Sequence, residues 1–337
     1  NWSSVSSLNI RQVELIQNFF HKAMKDKDLV FLGEDIAAPY GGAFKVSKNL
    51  SIMYPERVFS TPISEAAITG ISNGLALGGM RPFLEIMFGD FITLSLDQII
   101  NHSSKFHHMY NKKVSCPIVI RTPMGGRRGY GPTHSQTLDK FLLGIDNVRV
   151  LAINTLDDPA IIYENIVEKE IHPVIVFENK ADYNKKIGFN IPLGFINQSN
   201  GKGYPTYRII PDKKKPNLTL VAYGGMVDVA LGSLITLFKE LEVFAEIVVP
   251  TSLCPLDLEP ILTSLQKTGR LVTLEEGSGY SGFGGEIIAQ VCEIADFNFI
   301  AKRIAALPVP IPSAKSLEME VLPTSDKIIE TVRSLFR

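Results

Sequence analysis

The sequence predicts an α/β protein built from two doubly wound domains. Short apolar runs alternate with longer amphipathic ones over almost the whole chain, as in parallel sheets covered by helices on both faces. The length of 337 residues fits about two domains at ~150 residues each. The alternation is interrupted once, at about 182–217, by a stretch rich in Gly and Pro that ends in the basic run Lys213–Lys215. The expected division is a first domain at 1–185, a linker at 186–204 and a smaller second domain at 205–337.

In the first domain, the strands are the apolar runs Leu29–Gly33, Pro82–Met87, Pro117–Thr122, Val148–Asn154 and Pro173–Glu178, with a shorter one at Val58–Thr61. Ile10–Lys25, Glu65–Leu77, Phe91–Tyr110 and Asp157–Glu170 have helical spacing. Asp157 and Asp158 before Pro159 form a helix start with proline in the first turn. In the second domain, strands are expected at Leu218–Tyr223, Ala245–Val249, Leu271–Glu275 and Arg303–Leu307. Helices are expected at Met226–Leu241, Leu258–Lys267, Glu286–Ala295 and Ser325–Phe336.

Composition removes several functions. Lys plus Arg number 34 against 35 Asp plus Glu, so the basic footprint of a nucleic-acid binder is missing. No uncharged apolar run reaches the ~18 residues of a membrane span; the most apolar stretch, Ala66–Met80, stops at Arg81. Three scattered cysteines form no CxxC pair and favour a reducing compartment. The absence of a GxSxG elbow, a P-loop and paired CxxC motifs leaves a hydrolase, an NTPase and a zinc protein without support. The polar start at Asn1 reads as a linker arriving from an earlier part of a longer chain, or as a trimmed terminus, and shows neither a signal peptide nor an Arg-rich transit segment.

Gly277–Gly282 matches GxGxxG between a strand and a helix. Against a dinucleotide site stand Glu275 and Glu276, which would repel a pyrophosphate, the extra Gly284 and Gly285, and the lack of an acidic residue at the end of a following strand. The plainer reading is a tight turn that lets the next helix pack closely.

Ligands of open α/β sheets sit at the carboxyl ends of strands. That rule directs attention to Glu34 and Asp35, to Met87–Phe91, and to the loop Gly125–Gln136. Glu65 opens a helix with Ser64 as its capping residue; it is either a favourable acid at a helix start or a carboxylate poised beside a ligand. Met87 and Phe91 are either core or an apolar platform for a heteroaromatic ring. Asp97, on the next helix, reads as a solvated or capping acid. The loop Gly125–Gln136 holds Arg127, Arg128 and His134, and either waves in solvent or performs acid–base work. The spacings of His102, His107 and His108 do not make a HExxH-type metal pair, and His21 and His172 read as surface or helix-end residues.

Taken in order, LGEDIA (32–37), GGAFKVSKNL (41–50), TPISEAAITGISNGLALGGMRPFLEIMFGDF (61–91), LDQIIN (96–101), THSQ (133–136), HPVIVFEN (172–179), TLVAYGG (219–225), the glycine-rich 274–286 and PVPIPSAKSLE (308–318) resemble one family over nearly the whole chain. It is the beta subunit, or the C-terminal beta-like part of a fused chain, of the thiamine-diphosphate-dependent decarboxylating component of 2-oxo acid dehydrogenase complexes. This places the chain in the transketolase-like superfamily.

The resemblance implies a pyrimidine-binding domain followed by a transketolase C-terminal-like domain. It implies oxidative decarboxylation of a 2-oxo acid and acyl transfer to a lipoyl group. In that scheme Glu65 bonds the pyrimidine ring nitrogen of the coenzyme, Phe91 stacks on the ring, and Met87 and Ile63 line the pocket. His134 serves as proton donor during acyl transfer, and Glu34 and Asp97 link active sites through a heterotetramer. A potassium-like ion is implied at main-chain carbonyls near Ile118, Val167, Glu170 and His172. The superfamily's magnesium motif begins GDG, which this chain lacks, so magnesium and the diphosphate are assigned to an alpha subunit or an upstream alpha-like region. The implied partners are that alpha part, a second beta subunit in an alpha2beta2-type assembly, and the lipoyl domain and core of the acyltransferase component, with no nucleic acid and no membrane. The implied compartment is the bacterial cytoplasm, or the mitochondrial matrix in a eukaryote. FGDF (88–91) resembles branched-chain and acetoin-type relatives and PSAKSLE (312–318) the pyruvate and acetoin types, leaving the 2-oxo acid open. Arg127 and Arg128 could meet a substrate carboxylate or an acidic lipoyl domain. An NAD-linked oxidoreductase using 277–282 and a non-catalytic assembly subunit are the rival readings.

Overall fold

The computed structural model describes residues 1–336. Two seven-stranded sheets and a two-stranded ribbon organise them. Across the first sheet run Val58–Ser60, Leu29–Gly33, Arg81–Glu85, Val119–Met124, Val174–Asn179 and Arg149–Ala152, all parallel. Leu29–Gly33, Val119–Met124 and Val174–Asn179 are buried at every position, because helices cover both faces; that is why they read as unbroken apolar runs. On one face, helix Gln12–Ala23 buries Val13, Ile16, Phe19 and Phe20 at helical spacing. Phe20 meets Phe31 and Phe83 edge-on, and Phe19 stacks on Tyr163. Each such buried aromatic contributes roughly 1.5–3 kcal/mol of transfer free energy.

Helix Glu65–Leu77 has the predicted bounds and turns Ile68, Ser72, Asn73 and Ala76 inward. The single helix expected over Phe91–Tyr110 is instead three pieces: a 3-10 turn at Gly89–Ser95, a π turn at Gln98–Ser103 and a short α-helix at Phe106–Met109. The cause is competition for the carbonyl of Gln98. Asn73 Nδ2 donates to it at 3.1 Å and Ser103 Oγ at 2.9 Å, and such side-chain bonds displace regular helical ones.

The second sheet has the expected parallel core of Ala245–Pro250, Leu218–Ala222, Arg270–Ser278 and Ile300–Ala306. An all-parallel sheet was expected; three antiparallel strands extend it instead, Thr206–Pro211, Phe195–Ser199 and Ser3–Ser4. The first two are joined by a short loop, which permits only antiparallel pairing. The segment expected as a linker thus contributes strands at Lys186–Ile187 and Phe195–Ser199.

The chain also crosses between the two units. Ser3–Ser4 joins the second sheet, and Ser252–Cys254 adds an antiparallel edge to the first. One apolar cluster runs continuously from Leu84 and Phe177 to Val221, Leu271 and Phe283. The carboxyl ends of the two sheets are thereby brought against each other.

Candidate active site

Four parallel strands deliver their following residues to the same edge of the first sheet. Leu29–Gly33 leads to Glu34, Arg81–Glu85 to Met87–Phe91, Val119–Met124 to the loop Gly125–Gln136, and Val174–Asn179 to Lys180. Glu34 and Glu65 are both buried, 4% and 5% exposed. Burial first, and then the charge of Glu65, push the Glu34 carboxyl up to about 7, against a main-chain N–H of Ser64 that pulls it down. Glu34 Oε1 has no hydrogen-bond partner among the described residues. The hydrogen bonds of Glu65 run through its main-chain carbonyl, which accepts from Thr69 Oγ1 at 2.6 Å and Ser95 Oγ at 3.1 Å. Ser95 closes the 3-10 turn that carries Phe91, so this bond sets Phe91's element against the start of the Glu65 helix. Ser64 stands at the N-cap position, but its side chain makes no capping bond, which corrects the capping role expected of it.

His134 is half-buried and packs edge-on against two rings, Phe88 at 5.0 Å and Phe91 at 5.1 Å between centroids. Its Nδ1 lies 2.9 Å from Thr133 Oγ1. Met87 is half-buried, while Ile63, beside Glu65 in sequence, is 80% exposed. Leu94 (57%) and Ile71 (54%) add to this open apolar face. Asp97 is not gathered with these residues: it is exposed and bonds Asn101 Nδ2 at 2.7 Å, with His102 at 3.6 Å.

The loop Gly125–Gln136 is not the solvated strap its glycines suggest. Arg127 is turned inward, pairs with Glu276 at 2.9 Å and donates to the carbonyl of Pro323. It is therefore not free for a substrate carboxylate, as had been considered from sequence. Arg128 is exposed and donates to the carbonyl of Lys180 at 3.2 Å. Glu318 accepts from the Arg127 N–H, and Glu276 from the Gly126 N–H and from Asn179 Nδ2. Sequence reasoning reached the segment Met87–Phe91 without singling out Asp90, named Glu276 only as an obstacle to a pyrophosphate, and missed Lys180, Asn179 and Glu318. Lys180 and Asn179 follow or end a strand on the same edge as Glu34, so the carboxyl-end rule could have found their positions. Glu318 comes from a distant helix, Lys315–Val321, and had no such signal.

The GxGxxG segment cannot serve as a pyrophosphate cradle. The strand runs on to Ser278, and the helix starts at Phe283. Its first N–H groups are taken by the Glu275 carboxylate, at 2.9 Å from Phe283 N and 3.1 Å from Gly284 N. The anion site of a helix N-terminus is here filled by a side chain of the protein.

Of the carbonyls named for a monovalent ion, that of Ile118 accepts from the Val174 N–H at 2.9 Å and that of Glu170 from the Arg81 guanidinium at 3.0 Å. Arg149 Nε lies 2.7 Å from a Glu170 carboxylate oxygen. The His172 ring sits edge-on to His107 at 4.8 Å. Among the described residues no cluster of three or more His, Cys, Asp or Glu is placed to hold a metal ion, and no helix is long and apolar enough to cross a membrane.

The donor set fits the pyrimidine half of thiamine diphosphate. It offers a buried carboxylate whose hydrogen-bonding capacity is left free, a flanking aromatic ring and an apolar wall. Among the described residues no group of three or more His, Cys, Asp or Glu accompanies them to hold the metal of the diphosphate.

Comparisons with known proteins agree with this division. Residues 11–186 match the family model "Transketolase, pyrimidine binding domain" and residues 208–328 match "Transketolase, C-terminal domain". The pyruvate dehydrogenase E1 component subunit beta of Leifsonia xyli is 35% identical over 92% of this chain and 90% of its own length. The mitochondrial subunit beta-2 of rice is 34% identical over 91% and 81%. The beta subunit of Bacillus subtilis acetoin:2,6-dichlorophenolindophenol oxidoreductase is 34% identical over 92% of each. Among solved structures, a split-gene transketolase described as an inactive beta4 tetramer superposes with a TM-score of 0.72 at 20% identity, covering 97% of this chain and 98% of its own. At that identity the likeness speaks for the fold.

Proposed function

Because this chain belongs to the transketolase-like family of beta subunits of the 2-oxo acid dehydrogenase decarboxylating component, we propose that it furnishes the pyrimidine side of a shared thiamine-diphosphate site and the proton chemistry of acyl transfer. The reaction is oxidative decarboxylation of pyruvate or a branched-chain 2-oxo acid, or cleavage of acetoin, with the acyl group passed to the lipoyl group of an acyltransferase component. An alpha subunit, or an alpha-like region of a longer chain, holds the diphosphate and magnesium. The assembly is of alpha2beta2 type, in a bacterial cytoplasm or a mitochondrial matrix.

The observation that carries this reading is the Glu65 carboxylate. It is buried at the start of a helix, left free by its own fold, and faces Glu34. Thiamine diphosphate, when bound, supplies a carbon nucleophile for the 2-oxo acid and an electron sink for the bond that releases carbon dioxide. Glu65 would hold the proton at the pyrimidine ring nitrogen. Glu34, pushed up to about 7, can both give and take a proton at neutral pH, which suits a relay beside Glu65. Phe91 would flank the ring, with Met87 and Ile63 lining the pocket. His134, held edge-on by Phe88 and Phe91, would present a ring nitrogen as proton donor to the lipoyl sulfur. Asp97, exposed on this chain, can act in a relay only through a neighbouring subunit. A monovalent ion at Ile118, Val167, Glu170 and His172 would share its carbonyls with Val174 and Arg81.

The apolar face around the site supports an obligate partner. Ile63, Ile71 and Leu94, on or beside the helix and the 3-10 turn that flank the site, are all more than half exposed, as expected of elements that a partner covers. Glu65→Gln in the assembled enzyme tests the reading. Subunit assembly should persist while turnover falls by ~10²–10⁴, the usual worth of a positioned acid–base group. Turnover within about threefold of wild type would remove Glu65 from the mechanism.

A further inference from the structure

Four glycines lie between residues 125 and 131, and by composition the loop around them should be mobile. Two buried, oppositely charged side chains tie it instead. Lys180 is 0% exposed, and its Nζ donates to the carbonyl of Gly125 at 3.1 Å and to the carbonyl of His134. Asp90 Oδ2 accepts from the N–H of Gln136 and from Gln136 Nε2, both at 3.0 Å. The two charges face each other at 3.8 Å through Asp90 Oδ1, which has no other partner among the described residues. The ammonium also lies over the Phe88 ring at 4.9 Å and the Tyr130 ring at 5.8 Å. Phe88 is one of the two rings that hold the His134 imidazole.

We propose that Lys180, paired with Asp90, is a positioning residue that clasps both ends of the loop and so fixes the orientation in which His134 meets the lipoyl group. The inference rests on the reading of His134 as the proton donor of acyl transfer. An ammonium has three N–H donors. Two go to the loop carbonyls that start and end the strap, and the third faces Asp90. A neutral side chain of equal length would leave two carbonyls without a donor and Asp90 Oδ1 without its cation inside the protein. The loop would then open at both ends, while Glu65, on another helix and outside the clasp, would stay in place.

The charge is held under tension. Burial pushes Lys180 down to about 8, against Asp90 from the 3-10 turn and Glu276 from the second domain, which pull it up, while Arg128 from the loop adds to the lowering. Above that pH the ammonium's attraction for Asp90 disappears and the clasp weakens.

The test uses the assembled alpha–beta enzyme and two assays, decarboxylation with an artificial electron acceptor and acyl transfer to a lipoyl domain. Lys180→Met should lower acyl transfer by ~10–100-fold, as expected for misplacement of a reacting group by about an ångström, and change decarboxylation by less than about threefold. His134→Ala should likewise lower acyl transfer more than decarboxylation, which should partly survive. Wild-type acyl transfer should decline above about pH 8, and that limb should vanish in Lys180→Met. Asp90→Asn, which removes the anion that supports the ammonium, should move the limb to lower pH. If Lys180→Met fails to fold, the wild-type and Asp90→Asn profiles decide: a limb that Asp90→Asn does not move overturns the clasp. Equal loss in both assays for Lys180→Met, with the split intact in His134→Ala, also overturns it and leaves the role of His134 standing. No split in His134→Ala overturns that role and the clasp with it.

Discussion

Three buried glutamates illustrate how differently one residue type can be used. Glu65 is left free, Glu275 is consumed by a helix start, and Glu85 is bound to Arg121. Arg121 is wholly buried in the middle of an apolar strand and is paired with both Glu85 and Glu178. Tyr183 donates to Glu178 at 2.6 Å, and the Tyr163 hydroxyl donates to the same carboxylate. One guanidinium serves two carboxylates here, and burial pushes the Glu85 carboxyl up while Arg121 opposes the shift. Arg121→Met should therefore destabilise the fold by ~3–5 kcal/mol, because it strands the Glu178 charge, whereas Glu85→Gln should cost under about 1 kcal/mol. Urea unfolding of both variants checks the contrast; equal losses would mean that Glu85 is ionised in the folded protein. In the sequence, Glu65 read by itself as a favourable acid at a helix start or as a carboxylate beside a ligand, and only the family resemblance singled out the second. The position of Lys180, directly after a strand, was within reach of the carboxyl-end rule, but its role was not, because that role lies in two main-chain carbonyls more than forty residues away, and main-chain acceptors carry no residue signature.

At the scale of elements, periodicity read the regular helices well and failed where tertiary hydrogen bonds intervene. Glu65–Leu77 and Met226–Leu241 have their expected bounds, since each buries one continuous stripe. The segment after Phe91 has the same apolar spacing but loses its regular turns to Asn73 and Ser103. Elements also bring acids into places that prefer them neutral. Burial pushes Glu275, a strand residue whose carboxylate caps helix Phe283–Ile294, from 4.5 up to about 7, helped by Asp139. Burial likewise pushes Asp182 from 3.8 up to about 7. Each group binds its proton more tightly folded than unfolded. Its stabilising contribution is complete below the unfolded pKa and is lost as pH rises through the folded one. The unfolding free energy measured in urea, and with it the midpoint, should therefore fall between about pH 4 and 7.5, by at most on the order of 3–4 kcal/mol per group. Glu275→Gln should flatten the slope. A midpoint that rises across this window would contradict the assigned direction.

At the scale of the molecule, the two-unit α/β plan was legible because burial on both faces writes itself as apolar runs. The exchange of Ser3–Ser4 and Ser252–Cys254 between the sheets was not, since strands of two or three residues carry no period. That exchange matters for the site. It helps hold the second sheet's Glu276 against Gly126, Arg127 and Asn179 of the first unit, so the His134 loop is braced from both units. Among the described residues the surroundings of Glu65 are open on one side, its neighbour Ile63 being 80% exposed. The account holds that the coenzyme site is completed by another subunit. The most direct measurement is a calorimetric titration of thiamine diphosphate with magnesium into this chain alone, the alpha part alone, and their mixture. The mixture should bind at least ~100-fold more tightly than either part, a coupling of ~2.7 kcal/mol. Equally tight binding by this chain alone would contradict a shared site.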